Sequence, residues 1–355
     1  MDTATLKWPG MTLVGNGQRL LNVFLSAIAL AALLLHFDAI IDIKPVRFPV
    51  RTVPREFVSE ARLTTEGIGS ALQDIKVTLA TAALFHANLR LPFQISTHGY
   101  DSSSYLMVNS PSVDRAHVNG RDCKLDEIMS NSSWKSLVNR ACNSAKEFEH
   151  YSKILRKAHK DCRIVRDFET FNQGRHEDLN ACTSAWIRQR LLAASRKKWG
   201  SSRFRSAENL VVYHNRAGDM NWAIEQGKEH SRTLPPEDAR PALDNIQSKM
   251  KKRMKLLIVS EDKNRTHYEA LNDYDFTFAT GDTWLDEITQ TVGARALVAS
   301  GSSFGVLIAQ VSGVKTIYAK WGGTSKYNNF DKFGVTVHEL GEQGHILRKR
   351  RKRER

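Results

Sequence analysis

Four short apolar runs in the C-terminal half of the chain constrain its fold more than any other feature. They occur as "NLVVYHNRAGD", "KLLIVSED", "DFTFAT" and "ARALVASGSS", and each run closes on polar or small residues. Strands that are buried on both faces have this continuous apolar pattern, which is typical of parallel sheets covered by helices. The sequence therefore predicts an α/β fold that binds ligands where its strands end.

The ends of these runs carry the residues best suited to bind an anion. His214 and Arg216 alternate at the end of the first run, so an extended strand would project both to the same side. The guanidinium of Arg216 offers a fixed fork of donors that matches phosphate oxygens. In "ASGSSFG", the hydroxyls of Ser302 and Ser303 precede a predicted helix whose first amides attract anions. These segments together predict an anion-binding site at one edge of the sheet.

Composition limits the class of protein. The chain has 355 residues, of which 41% are hydrophobic and 25% charged, and this mixture predicts about two globular domains rather than a disordered or multi-spanning protein. The net charge is +14, and close to half of it comes from the terminal "RKRRKRER". Such a tail is typical either of a solvated extension or of a segment that contacts anionic surfaces.

The four cysteines, Cys123, Cys142, Cys162 and Cys182, are spaced by 19, 20 and 20 residues and form no CxxC pair. This spacing argues against a zinc site. Their number fits two disulfides in an oxidising compartment, and four reduced thiols in a helical region fit equally well.

The segment "GNGQRLLNVFLSAIALAALLLHFDAIIDI", residues 15–43, has two interpretations. Its apolar run of about sixteen residues would extend about 24 Å as a helix, which is shorter than the roughly 30 Å hydrocarbon core of a bilayer. That length, and the polar stripe of Gln18, Asn22 and Ser26, favour a helix inside the protein. The basic residues before the run and the aspartates after it fit a single membrane span. Farther along, residues 57–86 and 134–199 are predicted to be helical, and residues 106–133 to be mostly loop.

The C-terminal segments resemble the fucosyltransferase superfamily that includes the α1,2-, α1,6- and protein O-fucosyltransferases. "HNRAGD" is similar to their HxRxGD motif, and "IVSED" and "ALVASGSSFGVLIAQVSG" are similar to two further blocks. The segment that starts at Gly15 is similar to the glycine loop, helix and strand that open their catalytic region. The resemblance implies a GT-B-like fold with two facing Rossmann-like domains, parallel sheets and a helical insertion. The domains would be an N-terminal, acceptor-side domain (1–200), a C-terminal nucleotide-sugar-binding domain (201–345) and a basic disordered tail (346–355).

The resemblance also implies an activity. Enzymes of this superfamily transfer fucose from GDP-fucose to a glycan or protein acceptor with inversion, mostly without a metal ion. Arg216 would neutralise the donor's β-phosphate, His214 would contact the donor, and Asp219 would hold the loop. The implied donor-binding residues are Gly15, Gly17, Arg19, Asp262, Ser302, Ser303 and Phe304. The same resemblance points to the Golgi or secretory pathway, with the cytoplasm as the alternative.

The chain departs from the superfamily at two positions. Many relatives have a branched apolar residue where this chain has Asn215, and a second arginine where it has Ala217. The departures leave two alternatives open: an enzyme of the same fold that uses another nucleotide sugar, and a catalytically inactive nucleotide- or glycan-binding homologue.

Overall fold

The computed structural model describes residues 55–59, 69, 76–90, 121–124, 130–159, 162–166, 177–199, 209–217, 233–281, 283–320 and 324–347. All of them belong to one compact unit, Pro54–Arg355. The segment 15–43 and the basic residues from 348 onward lie outside the described residues. No helix among the described residues is long and apolar enough to cross a membrane.

A seven-stranded sheet forms the C-terminal part. Its strands are β5 (Leu210–His214), β6 (Lys255–Val259), β7 (Asp275–Phe278), β8 (Ala296–Ala299), β9 (Thr316–Lys320), β10 (Thr336–Leu340) and β11 (Ile346–Leu347). Neighbouring strands are parallel except for the short β11, which runs antiparallel to β10. All four apolar runs form parallel strands, and the prediction of an α/β fold is confirmed.

The strand order of this sheet is β11-β10-β9-β8-β5-β6-β7. From β5 the chain first adds β6 and β7 on one side. It then returns to the other side of β5 and adds β8, β9, β10 and β11 in turn. This is the doubly wound order of Rossmann-like sheets, in which a crevice opens at the carboxyl ends of the two strands where the order reverses. In this chain those two strands are β5 and β8.

A smaller parallel sheet forms the N-terminal part, with strand order β2-β1-β4-β3. Its strands are β1 (Arg55–Ser59), β2 (Ala87–Arg90), β3 (Arg121–Lys124) and β4 (Cys162–Arg166). β1 and β2 pair in parallel and are joined through helix α1 (Lys76–Phe85), so they form a βαβ unit.

Two sequence predictions were wrong in this part. The segment 57–86 is not one helix, because β1 occupies its start and α1 only its end. The segment 134–199 contains the strand β4 between helices. Both strands are short, and their charged residues interrupt the apolar run that would have marked them in the sequence.

Most of the remaining helices have identifiable start signals. Ser130 and Ser144 cap their helices with side-chain oxygens, Thr283 and Asp286 form a capping box, and Pro236 occupies a first-turn position. These helices are α2 (Asn131–Ala141), α3 (Ala145–Ala158), α4 (Asn180–Trp199), α5 (Pro236–Ser248), α6 (Trp284–Thr289) and α7 (Ser303–Ser312). Short 3₁₀ helices cover Glu177–Leu179, Arg265–Leu271, Thr324–Tyr327, Phe330–Phe333 and Glu342–Gly344.

The large sheet is covered on both faces. Val211 and Tyr213 face a core built with α5, whereas Val212 faces a second core that continues through α7 and α4 to α1. The second core joins the N-terminal helices to the C-terminal sheet. The Gln310 amide of α7 reinforces this junction by donating to the Asn180 carbonyl oxygen of α4, at 2.8 Å.

A disulfide joins Cys142, at the end of α2, to Cys182 in α4. Cys123 is also disulfide-bonded, and the structure contains no free cysteine among the residues it describes. Of the two alternatives left open by the sequence, the structure has the disulfide-bonded one.

Candidate functional site

The candidate site lies at the carboxyl ends of β5 and β8. His214 is the last residue of β5 and is paired in register with Val259 of β6 and Ala299 of β8. The Ser300 amide donates to the His214 carbonyl oxygen at 3.0 Å, so the pairing of β5 with β8 continues one residue beyond the strand. The local sequence thus places His214 at the crevice that the strand order predicts.

The imidazole of His214 is buried, with 2% of the residue exposed. Its Nδ1 lies 2.9 Å from the Val259 carbonyl oxygen. A carbonyl oxygen only accepts, so Nδ1 carries the proton of the neutral ring and Nε2 carries the lone pair. Burial lowers the pKa of His214 and keeps the ring neutral at pH 7. Its Nε2 is buried and has no hydrogen-bond partner among the described residues.

Two backbone hydrogen bonds fix the loop after β5 that carries Arg216. The Arg216 amide donates to the Ser300 hydroxyl at 3.3 Å, and the Ala217 amide donates to a carboxylate oxygen of Glu261 at 3.3 Å. The loop is therefore attached to the ends of both neighbouring strands. Arg216 is half-buried, whereas Ala217 is 1% exposed. The position where many members of the resembled superfamily carry a second arginine is thus a packed interior position in this chain.

The amino end of α7 meets the same edge. The Ser302 hydroxyl caps the helix by accepting from the Phe304 amide at 3.1 Å, and Ser302 is buried. The Phe304 ring contacts the His214 ring edge-on, with 5.7 Å between centroids. Lys326 donates to the Gly301 carbonyl oxygen at 3.0 Å and so supports the loop before the helix. The structure thus brings His214, Arg216, Ser302, Ser303 and Phe304 together around one strand-to-helix junction.

Glycine at position 305 allows two buried polar side chains to approach the first turn of α7. A β-carbon at Gly305 would lie 2.8 Å from the Tyr327 hydroxyl and 3.0 Å from Cδ2 of His214. The Tyr327 hydroxyl is buried and has no hydrogen-bond partner in the part of the chain that the structure describes, and burial raises the pKa of Tyr327. Tyr327 and His214 therefore both lie against Gly305, and no local sequence signal connects Tyr327 to this position.

Gly69 reaches this junction from the N-terminal part of the chain. A β-carbon at Gly69 would lie 2.7 Å from the Phe304 nitrogen and 2.9 Å from the Ser303 carbonyl carbon. Such distances exclude any side chain, so the glycine is required by close backbone approach. The sequence analysis missed this residue because it included "EGIGS" in a helix, although a G-x-G spacing before an apolar helix is a signal for such a loop.

We expect Gly69→Ala to destabilise the protein by about 1–3 kcal/mol, because the new methyl group meets backbone atoms that no rotamer change can move away. Thermal unfolding measures the loss of stability. Gly341→Ala is the matched control, since its β-carbon would meet only the flexible Leu347 side chain, at 3.2 Å. Equal effects of the two substitutions would contradict the close-approach argument.

Asp262 lies beyond the end of β6, and its carboxylate is engaged within its own loop. One oxygen accepts from the Asn264 amide at 2.9 Å, and the other lies 2.6 Å from Nδ1 of His267. No contact of this carboxylate with His214 or Arg216 occurs in the described part of the chain. Four other predicted site residues lie outside the described residues and stay predictions: Gly15, Gly17, Arg19 and Asp219.

The described residues include no cluster of three or more His, Cys, Asp or Glu side chains that could hold a metal ion. The expectation of a metal-independent reaction stays a prediction.

Comparison with known proteins gives the following. No family model and no curated protein sequence matches the chain. Among solved structures, the chain is similar to POFUT1 in complex with GDP-fucose (10% identity, 73% of this chain and 94% of that chain, TM-score 0.36). It is also similar to an arginine-to-lysine variant of Arabidopsis thaliana FUT1 in complex with GDP (10% identity, 82% of this chain and 72% of that chain, TM-score 0.32). A third similar structure is NodZ alpha-1,6-fucosyltransferase soaked with GDP-fucose (13% identity, 82% of this chain and 98% of that chain, TM-score 0.33).

Proposed function

We propose that the chain is a glycosyltransferase that binds a nucleotide sugar at the carboxyl ends of β5 and β8. One observation supports this proposal above the others. The switch point of a doubly wound sheet carries an arginine, a neutral histidine and the amino end of a helix, all at one edge. Helix amides and a guanidinium are suited to the diphosphate of a nucleotide sugar.

Within this proposal Arg216 stabilises the charge that develops on the leaving diphosphate. A preorganised cation lowers the barrier because it is already in place when the glycosidic bond breaks. The positive end of the α7 dipole, at the amino end that Ser302 caps, favours the same developing charge. His214 positions the first turn of α7 through its contact with Phe304. This assignment requires no proton transfer by the neutral imidazole.

We further propose GDP-fucose as the donor and a glycan or protein as the acceptor, with inversion at the transferred carbon. The support is the resemblance of "HNRAGD", "IVSED" and "ALVASGSSFGVLIAQVSG" to the fucosyltransferase motifs. In a GT-B arrangement the acceptor would be bound by the N-terminal part, residues 1–200. A location in the Golgi or secretory pathway is consistent with the disulfides, which persist in oxidising compartments.

A panel of labelled sugar nucleotides tests donor choice and activity together. We expect hydrolysis or transfer with GDP-fucose, and tighter binding of GDP than of UDP by isothermal titration. Tighter binding of UDP would remove the fucose assignment and favour another nucleotide sugar. Tight GDP binding without turnover of any donor would identify an inactive homologue.

A further inference from the structure

A second cleft lies at the opposite edge of the large sheet, where the parallel strands begin. It encloses about 320 Å³, within the range of small-ligand sites. We call it the amino-edge cleft and define it by Lys249, Arg295, Thr316, Tyr318, Thr336 and His338. Its Arg295 lies four residues before Ala299, the last residue of β8, which is about 13 Å at roughly 3.3 Å per residue.

Two cations converge on the amino-edge cleft. Lys249 follows the last residue of α5, and its ammonium donates to the Asn245 side-chain oxygen, which holds it over the cleft. Arg295 precedes β8 and is exposed. Neither cation forms an ion pair with an acidic side chain in the described part of the chain. Their charge is therefore available to an anionic ligand.

The other lining residues suit a hydroxylated ligand with a flat face. Thr316 and Thr336 begin β9 and β10 and contribute hydroxyl groups, which both donate and accept. The His338 ring stacks on the Tyr318 ring, with 4.6 Å between centroids and 17° between planes. Tyr318 is itself fixed, because its hydroxyl donates to Asn245 at 3.2 Å. The stacked pair forms a rigid aromatic wall beside the cations.

We propose that the amino-edge cleft binds an acidic sugar unit that carries a sulfate or phosphate ester. Arg295 and Lys249 pair with the ester oxygens, because guanidinium and ammonium groups form charge-assisted hydrogen bonds with such oxyanions. The threonines bond the sugar hydroxyls, and the ring of His338 packs against the sugar. The cleft would thus hold an acidic glycan while the opposite edge of the sheet holds the nucleotide.

Titration of the full chain with a sulfated heparin disaccharide, its unsulfated counterpart, a sugar phosphate and inorganic sulfate tests the proposal. We expect the sulfated disaccharide to bind at least tenfold more tightly than either the unsulfated one or inorganic sulfate. Relative binding of the sugar phosphate distinguishes the two esters. A short RNA of equal charge that bound as tightly as the disaccharide would overturn the sugar assignment.

Three variants test whether the disaccharide binds to specific residues of the cleft or only to the positive charge of the surface. Arg295→Ala should weaken disaccharide binding at least tenfold, and Thr316→Val should weaken it several-fold without changing the charge. Arg253→Ala is the matched control, because it removes a cation from the same edge whose guanidinium donates to the Asp273 carbonyl oxygen. Equal losses for Arg253→Ala and Arg295→Ala would overturn the proposal. Arg216→Ala should leave disaccharide binding intact, so this test is independent of the proposed transferase function.

Discussion

Arg216→Ala is expected to raise the Kd for GDP at least a hundredfold, which corresponds to about 3 kcal/mol. The variant removes the guanidinium that we propose pairs with the diphosphate, and it leaves the backbone hydrogen bonds that shape the loop. Its amide still donates to Ser300 and that of the next residue to Glu261. The fold should therefore persist, which circular dichroism checks, and isothermal titration measures the loss of binding. Arg216→Lys should retain an intermediate affinity, because an ammonium keeps the charge and loses the fork.

Two controls accompany this measurement. Arg295→Ala removes an arginine from the opposite edge of the sheet and should leave GDP binding unchanged. Deletion of residues 348–355 should do the same, since the tail contributes charge and no part of the proposed donor site. If the tail deletion abolished GDP binding and Arg216→Ala did not, the chain would be a tail-driven anion binder and not a transferase of the proposed kind.

Loss of the disulfide between α2 and α4 is expected to cost about 4 kcal/mol in the double variant Cys142→Ser, Cys182→Ser. The two cysteines are 40 residues apart, and the entropy of closing a loop of that length in the unfolded chain gives this magnitude. At 2–4 °C per kcal/mol the midpoint of thermal unfolding should fall by about 10 °C. Calorimetry with and without reductant measures the effect.

The comparison between reduced and oxidised protein supplies the control. Reductant should lower the unfolding midpoint of the wild type by more than that of the double variant, which retains only the disulfide of Cys123. A wild-type midpoint that does not respond to reductant would show that the cysteines are unpaired in solution. Reduced thiols were the other alternative that the cysteine spacing allowed.

Four strands of the C-terminal sheet could be predicted from sequence, and three of them, β5, β6 and β8, appear as continuous apolar runs because they are buried on both faces. Strand β5 is an example, since residues 211–214 are all buried. Strands β1 and β4 could not be predicted in this way, because "REFVS" and "CRIVR" interrupt the apolar pattern with charge. Both strands were therefore included in the helices predicted for the neighbouring segments.

The candidate site was predictable only where its signals are local. His214 and Arg216 lie at the end of an apolar run, and Ser302 precedes a helix. The residues next to each of them in the sequence therefore indicate its position at a strand end or a helix start. The approach of Gly69 to Phe304 and of Tyr327 to Gly305 joins residues that are distant in the chain. Neither hydrophobic periodicity nor motif spacing indicates such contacts, because they arise from the packing of helices, strands and loops against one another.

The tight fit of Gly69 against the first turn of α7 bears on how the protein can be dissected. A fragment beginning near residue 209 would retain every strand of the seven-stranded sheet, together with His214 and Arg216. It would nevertheless present the amino end of α7 to water on the side that Gly69 covers in the intact chain. Truncated versions prepared for crystallisation or ligand screening should therefore start no later than β1.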